Sequence, residues 1–303
     1  MKEKSKKVLF IINPKSGKGL IRNHLLEVID IFTKSGMKVT TYTTQKELDA
    51  CEVVMEQAAD YDMIICCGGD GTLDEVITGM MKGNCRLPVG YIPAGSTNDF
   101  ARSLKLPRNM KDAARCITKD HLYACDIGAF NSDYFVYIAA FGAFTEVSYQ
   151  TRQEVKNVLG HLAYVLEGTK HLFNLKSYKL KIKSEQQEME DEFIYGMITN
   201  SESVGGFKNI TGNKVKLDDG VFEVTLIRTP QNPMELQEIM GAILRKEVDN
   251  RHFYSFKTNH LEIVAEEEIP WTLDGEFGGN HKIVHITNHQ RAISIMVRNI
   301  GKQ

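Results

Sequence analysis

The apolar positions of the chain fall into two textures. Up to about residue 125, short apolar runs alternate with longer stretches of helical period, the pattern of a parallel sheet with crossover helices. The runs Lys7–Ile12, Lys38–Tyr42, Met63–Cys67 and Pro88–Ile92 predict four strands. Between the first two, Leu25, Leu26, Val28, Ile29 and Phe32 recur at helical spacing, and Gly36 ends the helix. Glu47–Ala59 and Leu73–Met81 predict two further helices.

Beyond Ala124 the pattern becomes β-rich. Strands are predicted at Tyr134–Phe141, Lys176–Ile182, Phe193–Thr199, Val221–Arg228, Leu261–Val264, Lys282–Ile286 and Ala292–Val297. Their close spacing and the turn signals between them suggest a sandwich or barrel. Helices near Val155–Leu166 and Met234–Leu244 interrupt it, and the acidic stretch Glu185–Glu192 reads as a solvated hairpin. The apolar set Val155, Val158, Leu159, Leu162, Val165 and Leu166 could line a lipid-facing groove, although core packing is the default for such a stripe. The expectation is an α/β domain with a parallel sheet over 1–125 and a β-rich, sandwich-like domain over 126–303, the last strand being a candidate to return to the first domain.

Composition supports two domains and removes several function classes. The 303 residues carry 37 Lys+Arg against 39 Asp+Glu, a formal net charge of -2. Such a balance argues against a dedicated DNA-binding protein, which needs clustered cations for phosphates. The six cysteines, Cys51, Cys66, Cys67, Cys85, Cys116 and Cys125, form no CxxC pair, so they read as buried reduced thiols. Val8–Ile12 is too short an apolar run for a secretory signal. Tyr134–Phe144 is the longest apolar run, far short of the roughly 20 residues of a membrane helix. A cytoplasmic protein with at most reversible, peripheral membrane contact is expected.

Chemistry concentrates in loops that follow the predicted strands. Gly68-Gly69-Asp70-Gly71-Thr72-Leu73-Asp74-Glu75 leads from a strand into a helix, at the carboxyl end of a parallel sheet where ligands bind. Glycines let the backbone approach a polyphosphate, with N–H groups and a helix N-terminus aimed at the anion. Thr72 can cap the helix or donate to phosphate. Asp70 would repel phosphate without a cation between them, so it points to Mg²⁺; Asp74 and Glu75 offer carboxylates for ribose or metal-bound water. Asn13-Pro14-Lys15-Ser16-Gly17-Lys18-Gly19 follows the first strand and lacks the order of a Walker A loop. Pro93–Phe100 follows the fourth, with Gly95 to relax the backbone and Ser96 to reach a phosphate. Each loop alone could be a plain turn; three polar, glycine-bearing loops after three strands suggest a nucleotide-binding domain.

The segments INPKSGKG, GGDGTLDEV, PAGSTNDFAR, VKLDDGVFEV and LDGEFGG together resemble the diacylglycerol kinase catalytic-domain family, specifically the soluble bacterial lipid kinases related to sphingosine kinases. The resemblance runs through nearly the whole chain. It implies ATP-dependent phosphorylation of a lipid hydroxyl, diacylglycerol first among candidates, in a cleft between the two domains. It implies that Asn13, Pro14, Lys15, Ser16, Gly17, Thr44, Gly69, Asp70, Gly71, Thr72, Leu73, Asp74, Glu75 and Ser96 contact the nucleotide. Family members commonly have GT where this chain has Gly95-Ser96, and Ser keeps the hydroxyl. The resemblance further implies a structural Mg²⁺ held by the carboxylate of Asp219 and the backbone carbonyls of Lys216 and Val221, with Gly220 permitting the bend. It makes Asp274 the general base, with Glu276 a close competitor; on sequence alone LDGE and LDDG each read first as hairpin turns. GGDGT is shared with NAD kinases, so a kinase of a soluble nucleotide is the enzyme alternative, and a nucleotide sensor with little catalysis is another. His161 and His171 fit no triad. An exposed apolar strand would point to a homodimer.

Overall fold

The computed structural model describes residues 5–119, 121–143, 176–201, 203–204, 207–208, 215–245 and 251–298. The helix expected at Val155–Leu166, together with His161 and His171, lies outside the described residues. The chain divides into two compact units, Met1–Ile127 with Gln290–Gln303, and Gly128–His289.

In the first unit, β1 (Lys7–Ile12), β2 (Lys38–Thr43), β3 (Met63–Gly68) and β4 (Pro88–Pro93) are connected by α1 (Ile21–Lys34), α2 (Asp49–Gln57), a 3₁₀ turn at Ala58–Asp60, and α3 (Asp70–Lys82). All strand pairs are parallel, in the order β4-β3-β1-β2. The chain therefore reverses its winding direction between β1 and β3, and their carboxyl ends flank a topological switch point. β1 after its first residue, all of β3 and most of β4 are buried, which is why they read as continuous apolar runs rather than alternations.

Helix α1 buries Ile21, Val28 and Phe32, and the Phe32 ring packs edge-on against Phe10 with centroids 5.7 Å apart. Leu26 departs from the expected apolar face and is 81% exposed. It lies two residues before Val28, roughly 200° around the helix from the buried stripe. At the helix end Gly36 takes φ +85° and its N–H donates to the Thr33 carbonyl, the reversal anticipated there. After β4 come two short helices the hydrophobic pattern did not announce, α4 (Asp99–Ser103) and α5 (Met110–Ile117). The chain then enters the second unit within β5 (Leu122–Phe130).

The second unit contains β6 (Asp133–Phe135), β7 (Ile138–Gly142), β8 (Tyr178–Ser184), β9 (Glu188–Thr199), the short β10 (Ser203–Val204) and β11 (Phe207–Lys208), β12 (Phe222–Arg228), α6 (Pro233–Arg245), β13 (Phe253–Thr258) and β14 (His260–Leu273). It also holds most of β15 (Glu276–Met296), whose end lies in the first unit, where Ser294 and Ile295 pair in parallel with Pro88 and Val89. Strand order is β13-β12-β9-β7-β14-β15, with β8 pairing both β9 and β14, and all these pairs are antiparallel. Trp271 centres an aromatic core with Phe130 and Phe141, at ring centroid distances of 5.1 and 4.8 Å.

Along β8 the alternation is regular: Tyr178, Leu180 and Ile182 are buried while Lys179, Lys181 and Lys183 are exposed. The acidic stretch expected as a hairpin turns at Ser184–Gln187 and continues into β9, where Glu188 and Glu190 form diagonal ion pairs with Lys181 and Lys179. β14 extends well beyond the short strand predicted at Leu261–Val264, and β15 is one long strand where Lys282–Ile286 and Ala292–Val297 predict two. Three consecutive exposed acids, Glu266 to Glu268, break the apolar signal inside β14, and Glu266 and Glu267 pair instead with Lys179 and Lys176.

Candidate active site

Three loops gather at the carboxyl ends of β1, β3 and β4, and glycines set how closely they meet. Gly17 adopts φ +58°, and a Cβ there would stand 2.3 Å from the Ala94 carbonyl oxygen. A Cβ on Gly95 would stand 2.5 Å from the Cα of Gly69. The loop after β1 is thus seated on the loop after β4, which is seated on the glycine pair after β3, backbone against backbone. Hydrogen bonds complete the arrangement: the Asn13 N–H donates to the Cys67 carbonyl at 2.9 Å, and the Ala94 N–H to the Gly68 carbonyl at 2.8 Å. The Asn13 side-chain amide donates to the Thr72 hydroxyl at 2.9 Å, while its oxygen accepts the Lys15 N–H at 3.0 Å.

Helix α3 begins at Asp70, three residues earlier than the apolar pattern predicts, with Gly69 as its N-cap. Asp70, Gly71 and Thr72 are therefore the first helical turn, where backbone N–H groups and the helix dipole favour an anion. Asp70 itself has one carboxylate oxygen on the Asp99 N–H at 3.1 Å, joining this turn to the start of α4. Ser16 and Thr72 are buried, Asp74 is half-buried, and Ser96 is exposed. The N–H of Thr44 donates to the Ile12 carbonyl at 2.9 Å, so Thr44 lies beside the end of β1.

Glu75 has a different task from the ribose or metal-water contact expected of it. Its two carboxylate oxygens accept the N–H groups of Leu48 and Ala50, each at 3.1 Å, and so cap the start of α2. Leu48 holds φ +62°, an uncommon conformation for a leucine that this cap stabilises. Burial pushes the Glu75 carboxyl above its ordinary range, and the two amides pull the other way. Nearby, Asp49 is held below the usual carboxylate range, first by the Gln45 N–H at 2.7 Å, with the Tyr42 hydroxyl at 2.9 Å adding to it and burial opposing.

In the second unit, Leu273–Glu276 is a two-residue hairpin turn between β14 and β15. Asp274 has φ +52° and Gly275 φ +91°, positive values at both central positions, which is the type I′ pattern that Asp-Gly favours. Asp274 is buried, and its carboxylate accepts three backbone N–H groups: Val136 at 2.5 Å, Tyr137 at 2.9 Å and Ile138 at 2.9 Å. Glu276 is exposed. In the Lys216–Val221 loop, Asp219 accepts the Val221 N–H at 3.4 Å, and the Lys257 ammonium lies 3.6 Å from its other oxygen. Lys257 is 2.7 Å from the buried carboxylate of Glu223. Burial raises the Glu223 carboxyl despite Lys257; for Lys257 burial works to lower the ammonium's pKa, but the bond to Glu223 leaves it raised.

Residues 7–130 match the diacylglycerol kinase catalytic domain, and residues 140–296 match the YegS C-terminal NAD kinase beta sandwich-like domain. The chain is 34% identical over 277 residues to a diacylglycerol kinase of Bacillus subtilis, covering 90% of this chain and 91% of that protein. The chain belongs to the diacylglycerol kinase family. A diacylglycerol kinase of Staphylococcus carnosus is 35% identical over 276 residues, 90% of each chain. A crystal structure of a diacylglycerol kinase from Bacillus anthracis aligns with TM-score 0.78 at 26% identity, covering 98% of this chain and 99% of the other.

The donor chemistry suits the groups such a kinase uses. Backbone amides and glycines at the first turn of α3 suit a polyphosphate, and a Cβ at residue 17 or 95 would fill the space between the loops. Among the described residues no group of three or more His, Cys, Asp or Glu side chains gathers to hold a metal, so a cation at Lys216–Val221 would depend on backbone carbonyls beside Asp219. The cysteines are free, five of them buried, and burial pushes the Cys67 thiol up to about 12, which suits packing rather than nucleophilic chemistry. Sequence reasoning did not single out Asp99 or Asp126, both fully buried acids, nor Glu223; Asp99 sat in plain view within PAGSTNDFAR, two positions after Thr97. The Asp126 carboxylate accepts the Arg291 N–H at 2.7 Å, a partner 165 positions away that no local pattern announces.

Proposed function

We propose that this chain transfers the γ-phosphoryl group of ATP to the hydroxyl of a diacylglycerol, giving a phosphatidic acid. The observation that carries this reading is the backbone-to-backbone assembly of three glycine-bearing loops at the N-terminus of α3, in a chain whose relatives over nine-tenths of its length are named diacylglycerol kinase. Phosphoryl transfer asks the protein chiefly for positioning and charge stabilisation, and preorganised amides supply both.

Asn13 to Gly17, Thr44, Gly69 to Asp74 and Ser96 would hold the nucleotide, with Glu75 acting through its cap on α2. Asp70 brings negative charge to the first turn of α3, where phosphates would sit, so nucleotide binding calls for Mg²⁺, which would offset charge on the phosphate oxygens. A second, structural Mg²⁺ would take Asp219 and the carbonyls of Lys216 and Val221. We assign the base to Glu276 in place of Asp274. A carboxylate already accepting three backbone N–H groups is a weak proton acceptor, whereas Glu276 is exposed on the same turn. This reading requires groups of both units to act on one phosphoryl group, in the interdomain cleft that the resemblance implies. No helix among the described residues is long and apolar enough to cross a membrane, and we propose that lipid is taken from a membrane or micelle surface by peripheral, reversible contact.

A second reading, phosphorylation of NAD, is favoured by the NAD kinase beta sandwich-like match over 140–296. Rates of phosphorylation measured with diacylglycerol, a polyprenol and a sphingoid base in mixed micelles, and with soluble NAD, separate the two. Fastest turnover on diacylglycerol is expected; turnover on NAD alone would overturn the lipid reading.

A further inference from the structure

The carboxylate of Asp274 is committed to a structural task two positions from the proposed base. It spans the chain from the β14–β15 turn to residues 136–138, three successive positions leading into β7 whose N–H groups all point to it. The same turn is tied twice more to that segment. The Asp274 N–H donates to the Ile138 carbonyl at 2.9 Å, and the Tyr137 hydroxyl donates to the Asp274 carbonyl at 3.3 Å. The segment is held from behind, where the Tyr137 carbonyl accepts both the Thr199 hydroxyl at 2.7 Å and the Asn200 N–H at 2.9 Å. An Asp-Gly turn needs none of this. Type I′ hairpins at a protein surface leave the Asp side chain in water, whereas here it is buried with three amides as partners.

We propose that Asp274 is a positioning residue: its ionised side chain, with the Tyr137 hydroxyl, locks the Leu273–Glu276 turn onto residues 136–138 and thereby fixes where the Glu276 carboxylate stands. The proposal rests on the reading of Glu276 as base. In that step Glu276 takes the proton of the lipid hydroxyl as the hydroxyl oxygen bonds to the γ-phosphorus and the bond from that phosphorus to ADP breaks. A turn with two positive φ values and no clamp has room to swing its exposed neighbour, and a displacement on the order of 1 Å can cost roughly 10²-fold in rate. Only Asp combines the short reach to three amides with tolerance of positive φ. Asn in its place would present an NH₂ to at least one of those N–H groups.

The test compares kcat, ATP affinity and the pH dependence of kcat in four forms of the full chain: wild type, Asp274→Asn, Tyr137→Phe and Glu276→Gln. Asp274→Asn should lose roughly 10²-fold in kcat while the acidic limb of its pH profile remains and ATP affinity stays within about twofold. Tyr137→Phe removes a single hydroxyl and should lower kcat a few-fold with the limb intact; it serves as the test on its own should Asp274→Asn fail to fold. Glu276→Gln should lose the limb. Full kcat in Asp274→Asn, or in Tyr137→Phe where that variant stands alone, overturns the positioning role and leaves the base reading standing. A limb that vanishes in Asp274→Asn and persists in Glu276→Gln makes Asp274 the base and overturns both. A wild-type chain that phosphorylates no lipid overturns the proposed function itself, before any variant is compared.

Discussion

A Cβ atom on Gly95 would stand 2.5 Å from the Cα of Gly69, so the loop after β4 and the loop after β3 touch through two residues without side chains. That contact is backbone on backbone, and neither partner can step aside as a flexible side chain would. The proposed phosphate cradle therefore depends on both glycines at once. Gly95→Ala should weaken ATP binding more than tenfold, about 1.4 kcal/mol, and lower stability by about 1–3 kcal/mol, the usual range for overpacking. Titration calorimetry with ATP and a thermal melt check both.

Asp70→Ala removes the charge that calls for a cation and the acceptor of the Asp99 N–H. Lipid phosphorylation should fall at least 10²-fold, the lower end of what a positioned catalytic group contributes, with the circular dichroism spectrum unchanged. Near-wild-type turnover would remove Asp70 from the site.

The pH dependence of stability should carry the signature of Asp49. Its folded pKa is depressed, first by the Gln45 N–H, relative to an ordinary carboxylate near 3.8. Such a group contributes stability that is present above the unfolded value and lost as pH falls through the lower folded value. Asp49→Ala should cost about 1.5–3 kcal/mol at pH 7, as hydrogen bonds to a charged group do, and the cost should shrink below pH 4. Urea titrations at pH 7 and pH 3 measure it; a cost that does not change between them contradicts the assignment.

Cation binding at Lys216–Val221 should appear as stabilisation by Mg²⁺ in the absence of nucleotide. At 100 times its dissociation constant the ion adds about 2.7 kcal/mol, and Asp219→Ala should abolish the gain. A melting temperature indifferent to Mg²⁺ and to EDTA in the wild type would leave Asp219 with Lys257 and the Val221 amide as its partners and no ion.

What the sequence made legible follows from the range of the interactions involved. Three of the four parallel strands, β1, β3 and β4, are buried runs, and the glycine loop after Gly68 advertises itself by composition, so both could be read locally. The three-residue error at the start of α3 arose because Asp70, Gly71 and Thr72 carry no apolar period, although they form the helical turn that matters most. Glu75 and Asp274 were read as ligand-facing carboxylates because their residue types allow it. Their partners lie at Leu48 and Ala50, and at Val136 to Ile138, so 25 and 27 or 136 to 138 positions away, and they are backbone amides that every residue except proline possesses. No pattern of side chains can announce such a partner. The exposed Leu26 marks the opposite limit, an apolar residue counted toward a face it does not share.

The most direct test of the account offers both acceptors at once: γ-labelled ATP, Mg²⁺, diacylglycerol in mixed micelles and an equal concentration of NAD in one tube. The label is then partitioned between organic and aqueous phases. The account predicts label in the organic phase as phosphatidic acid, abolished by Asp70→Ala. Label confined to the aqueous phase as a phosphorylated dinucleotide, or organic label undiminished in Asp70→Ala, would contradict it.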